Sequence, residues 1–160
     1  MLETLVPGAR HLQNIHPLVV HFPLAFLPAA ALFYVVAWLT GRESLAWTGL
    51  WLLVLGAVTA AVAAGTGLYA EEGVMVAPSV RQALLDVHEW WMLGVVGASV
   101  VLAAWALVGR PLPRRGRPVF LLLLLVLVAA LVRGADFGGR MVYDYNAGGD
   151  ACGQPIEFSR

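Results

Sequence analysis

Lysine is missing from this chain, and all ten of its basic residues are arginine. That bias reads as genomic composition and carries no functional signal of its own. Charge as a whole is scarce. Only 12% of the 160 residues are charged, against about 25% in a typical soluble domain. Ten acids balance the ten arginines, so no strong pull on nucleic acid is expected. Cys152 is the only cysteine, which excludes an internal disulfide. No Cys-x-x-Cys-His run is present, which excludes covalent c-type haem attachment. A signal peptide is not expected over residues 1–15. Glu3 stands where a positive n-region belongs, and no apolar core precedes a small-residue cleavage site.

What the chain has in abundance is apolar sequence. Hydrophobic residues make up 60% of it, and the mean hydropathy is +0.78. One membrane domain accounts for this length. Residues 1–15 form a short interfacial lead-in before Pro7-Gly8 breaks any helix. Four runs then approach the roughly 20 apolar residues that a spanning helix needs. They cover Leu18–Leu39, Leu45–Tyr69, Gln82–Val108 and Val119–Val132. The last is short unless Arg133 to Phe137 prolong it. The remainder, 138–160, is Gly-rich and polar and reads as an extramembrane segment. Uninterrupted apolar sequence such as Leu121 to Leu125 excludes a β-barrel.

The expected fold is all-α: an integral membrane four-helix bundle over residues 16–137, with sequential helices as antiparallel neighbours. No internal repeat stands out. Pro28 should kink the first span. Gly56, Ala60 and Ala64 recur every four residues and predict close helix contact, with Ala57 and Ala61 widening that face. Gly94 and Ala98 predict a second such face. Gly65-Thr66-Gly67 is expected to loosen the end of span two.

Four spans put both termini on one side. Arg110, Arg114, Arg115 and Arg117 crowd one short loop without an acid, which predicts a cytoplasmic loop and outward-facing termini. His16, His21, Asp86, His88, Glu89, Arg133 and Arg140 then share the outer end. A histidine in or beside a membrane span is a functional-site hypothesis. His21 and His88 fall at similar depth on two antiparallel helices, where two imidazoles could ligate a haem iron on both faces. Arg81, Arg133 or Arg140 could pair with propionates. A second reading gathers His16, His21 and His88, with Asp86 or Glu89, around zinc or copper. The spacing of His16 and His21 is not the i, i+4 spacing that puts two ligands on one helix face. The plainer reading makes His16 a helix cap, His21 a carbonyl donor, and Asp86, His88 and Glu89 a solvated rim. Arg133 and Asp136 pair with each other in that reading. His11 is then exposed, and Cys152 is inert or pairs with another chain.

His16-Pro17, Val20-His21-Phe22-Pro23, His88 and Gly138-Gly139-Arg140-Met141-Val142-Tyr143 together resemble the domain-of-unknown-function 2231 family of four-span bacterial membrane proteins. The likeness covers about Ile15 to Gly149. Such proteins often carry a further histidine near the start of the third span. Arg81 or Asp86 stands in that region here. The turn after Tyr143 is also longer. The resemblance implies the fold and a bacterial membrane, taken here as the inner membrane, and implies little chemistry. Such domains are often found alongside electron-transfer proteins, an association that favours haem.

The expected function is a membrane-embedded b-type haem electron-transfer module. One bis-His haem would sit near the outer face, within a membrane redox complex or homo-oligomer. The alternatives are a non-catalytic structural subunit of a larger membrane complex and an outer-face zinc or copper site.

Overall fold

The computed structural model describes residues 15–71, 77–145 and 147. Every regular element among them is helical. Four helices are long and apolar enough to cross a membrane: α1 (His16–Thr40), α2 (Glu43–Glu71), α3 (Pro78–Val108) and α4 (Arg117–Tyr145). Expectations for residues 1–14, including His11, and for Glu72 and Cys152 lie outside the described residues.

Composition explains why these helices need a bilayer. A helix that is apolar all round has no face for water. Leu32, Val62, Val101 and Leu122, one on each helix, are all more than half exposed. Their partner is lipid. The two 29-residue helices, α2 and α4, rise about 43 Å at 1.5 Å per residue. That exceeds a hydrocarbon core of about 30 Å, so their ends reach the headgroup zones.

The helices form a square. Each packs on its neighbours in sequence, and α4 closes on α1. Among the described residues, the backbones of the diagonal pairs α1–α3 and α2–α4 do not approach closely. Leu27, Leu50, Leu53, Leu102 and Leu124 fill the centre, each almost fully buried. Small residues bring α1 and α2 together. A Cβ added at Gly56 would stand 2.5 Å from Leu27 Cδ2, and one at Gly49 would stand 3.1 Å from the Tyr34 ring. At the end that carries the helix-1–2 turn, Phe120 meets Tyr34 and Trp105 edge-on, with ring centroids 5.2 Å and 5.6 Å apart.

The turns follow from the sequence. Gly41 takes a left-handed φ of 69° to cap α1, and Gly116 takes 71° just before α4. Pro17 occupies the first turn of α1, where its missing N–H costs nothing. Pro28 sits inside the same helix.

Several expectations need correction. Gly56, Ala57 and Ala60 are buried as expected, but Ala61 faces outward and Ala63 is buried in its place. A 3.6-residue period moves the buried row from 60 to 63 and 64, away from 61. Gly94 and Ala98 are exposed, and no atom lies within 4 Å of a Cβ at Gly94. Their face is not used within the chain. Gly65 to Gly67 do not loosen α2, which continues to Glu71. The fourth helix does not stop near Val132 and extends through Gly138 to Tyr145.

Candidate functional site

Antiparallel order brings the start of α1, the end of α2, the start of α3 and the end of α4 to one end of the bundle. His16 opens α1. Its Nδ1 lies 3.0 Å from the Ala63 carbonyl oxygen and 3.1 Å from Thr66 Oγ1, both on α2. A carbonyl cannot donate, so Nδ1 carries the proton in that bond. The Thr66 hydroxyl donates its own proton to the same carbonyl at 2.9 Å. Its oxygen therefore presents a lone pair toward His16.

His88 lies in α3 and repeats the arrangement with α4. Its Nδ1 donates to the Gly134 carbonyl oxygen at 2.8 Å. The two bonds span 47 and 46 residues of chain. The match extends to packing. One turn beyond Ala63 lies Gly67, where an added Cβ would stand 2.9 Å from His16 Cε1. One turn beyond Gly134 lies Gly138, where an added Cβ would stand 2.9 Å from His88 Cε1. Each helical hairpin thus holds one imidazole by a backbone carbonyl and seats its ring on a glycine. The two seats match in their contacts.

The two imidazoles belong to diagonal helices at the same end of the bundle. Donation through Nδ1 fixes the tautomer and puts the neutral ring's lone pair on Nε2. Metal-ligating histidines almost always donate their other ring N–H in this way.

Ahead of His88 the backbone widens. Arg81 to Leu85 form a π-helical turn, and Asp86 resumes the α-helix. Such single turns are frequent at functional sites. Gly134 lets α3 and α4 approach, since a Cβ there would run into the Met92 methyl and stand 3.0 Å from Trp91 Cβ.

The other expected residues take different places. His21 is exposed and makes no side-chain hydrogen bond among the described residues. Arg81 is paired with Glu71, tying the start of α3 to the end of α2. Arg133 pairs with Asp136 at 3.0 Å and lies 4.4 Å from the centre of the Phe137 ring. Arg140 pairs with Asp144 at 3.5 Å. Asp86 and Glu89 are half-buried. Among the described residues, no three His, Cys, Asp or Glu side chains gather as a metal-binding group.

Sequence reasoning missed Thr66, Gly67, Gly134 and Gly138 as parts of the site. The available signal was a pair of small residues four apart near the ends of α2 and α4, each following a histidine by nearly the same interval.

A protein-family profile described as "Predicted membrane protein (DUF2231)" matches residues 12–151. The chain belongs to this family. The match takes in both histidine seats and all four helices. No curated protein and no solved structure matches the chain.

Proposed function

We propose that this family member is a membrane-embedded b-type haem protein that transfers electrons, with His16 and His88 as the axial pair. The observation that carries the reading is the matched pair of seats. Two imidazoles on diagonal helices are each fixed through Nδ1 to a backbone carbonyl and each packed on a glycine. A bis-His haem needs two axial nitrogens and no more. A zinc site needs three or four protein ligands, and the described residues offer no such cluster. The zinc or copper alternative is correspondingly weaker.

When bound, the haem would supply a one-electron couple at the end of the bundle near both termini. The protein's own part is to hold the two rings. Carbonyl bonds at Nδ1 set ring orientation and raise the basicity of Nε2. Glycine at 67 and 138 lets each ring lie against a neighbouring helix. Propionate pairing by Arg81, Arg133 or Arg140 would compete with the carboxylate that each already holds.

The arginine-rich loop between α3 and α4 supports a cytoplasmic location for that end. The haem and both termini would then face the outer side of a bacterial inner membrane, beside a redox partner.

A reduced-minus-oxidised spectrum of the detergent-purified protein, followed by pyridine extraction, tests the reading. One b-type haem per chain is the expected result. A flat spectrum from protein made in haem-replete cells would sink it. The second reading, a structural subunit, would then lead. It draws on Gly94 and Gly97, which face outward with open space around them and would allow close approach by another helix.

A further inference from the structure

The opposite end of the bundle has its own chemistry. A groove of about 750 Å³ opens between the α1–α2 turn and the α3–α4 loop. Arg42, Arg110, Arg114, Arg115 and Arg117 line it, with Glu43 as the one acid. None of these five arginines forms an ion pair among the described residues. Glu43 is occupied locally, accepting a hydrogen bond from Trp47 Nε1 at 3.3 Å. Arg117 Nε donates to the Pro113 carbonyl at 3.4 Å, which holds its guanidinium at the groove. Below the charged rim, the walls are apolar, with Trp38, Ala37, Trp105 and Val108 among them. Trp38 and Val108 are exposed on the surface that lipid covers.

We propose that this groove binds the phosphate headgroup of an anionic phospholipid. The argument is charge complementarity joined to amphipathic shape. Guanidinium groups suit phosphate oxygens through paired hydrogen bonds. Basic pockets between membrane helices bind anionic headgroups by this chemistry. A free anion would use the arginines alone, whereas a phospholipid also fills the apolar wall that continues into the bilayer. The lipid is therefore the occupant that accounts for both halves of the groove. This proposal is independent of any haem at the other end.

Native mass spectrometry of the full-length protein in detergent tests it, with phosphatidylglycerol, phosphatidylcholine or inorganic phosphate added separately. Phosphatidylglycerol should be retained at concentrations at least about ten-fold lower than phosphatidylcholine, and less so as salt rises. Arg114→Gln with Arg115→Gln should weaken phosphatidylglycerol retention by about five-fold per arginine removed. Both residues are exposed, and neither makes a side-chain hydrogen bond among the described residues, so the fold should survive. Circular dichroism of the variant checks this. Equal retention of the two lipids would overturn the proposal, as would an unaltered double variant. Binding of inorganic phosphate as tight as that of the lipid would also overturn it, by showing a site for a free anion.

Discussion

The two ends of this bundle handle polar groups in opposite ways. At the histidine end, His16, His88 and three arginines are answered from within the chain. Imidazoles meet carbonyls, and Arg81, Arg133 and Arg140 each meet a carboxylate. At the other end, five arginines face a groove without an ion pair among the described residues. Side chains answered in this way hold a geometry. An end that leaves like charges together is built to meet something from outside. The contrast also separates two kinds of membrane contact, a fixed site between helices and an adaptable one at the headgroup layer.

The largest effect that could break this comparison is loss of an imidazole. His88→Ala and His16→Ala should each lower haem content well below one per chain, because each removes one of the two axial bonds. His21→Ala should leave it unchanged. If His21→Ala strips the haem and His16→Ala does not, the pairing across the diagonal is mistaken. Haem content by pyridine extraction reads all three.

Next in size is the glycine seat. Gly138→Val places a branched side chain where even a Cβ stands 2.9 Å from His88 Cε1. The ring must move or the helices must part. Overpacking of this kind costs about 1–3 kcal/mol. The expected outcome is a lower melting temperature together with partial haem loss. Gly67→Val should do the same through His16. Gly116→Ala offers the matched control at the far end. It forces a side chain into a left-handed φ of 71° and within 3.0 Å of Trp105. Left-handed backbone costs an ordinary residue about 1–2 kcal/mol. Melting temperature should fall there as well, while haem content stays constant. Coupled loss of haem in Gly116→Ala would mean that the two ends do not act separately.

The fold was legible in the sequence because lipid imposes so few solutions. Four apolar runs and short turns leave little besides a four-helix bundle. The site was only half legible. Sequence marks which residues carry chemistry and which end they share, and His16, His88, Arg81 and Arg133 were all singled out. It marks poorly how each ring is held. Val20-His21 and Val87-His88 look alike as text and invite pairing His21 with His88. The seats that match are those of His16 and His88, and they are visible only through the carbonyls and glycines of α2 and α4. A backbone carbonyl leaves no trace in the sequence. A glycine within a membrane helix reads as a packing residue until the ring lying against it is seen. The π-helical turn at Arg81 to Leu85 shifts the helical phase before His88, which period counting along α3 cannot anticipate.

The smallest expected effect bears on whether the histidine end is complete by itself. Arg133→Gln removes the ion pair with Asp136 and the stacking over Phe137. Both partners of the pair are about half exposed, at 55% and 50%. Water already solvates such charges well, and exposed pairs contribute about 0–1 kcal/mol. Melting temperature should therefore change little. The haem midpoint potential is the more telling readout. A guanidinium that only pairs with Asp136 lies outside the site, so its loss should leave both the potential and the haem content where they were. A guanidinium that also holds a propionate stabilises that anion and raises the potential, because oxidation adds positive charge beside it. A fall in midpoint potential in Arg133→Gln would show that the histidine end is not closed on itself. It would give Arg133 a second partner and narrow the contrast with the arginine groove.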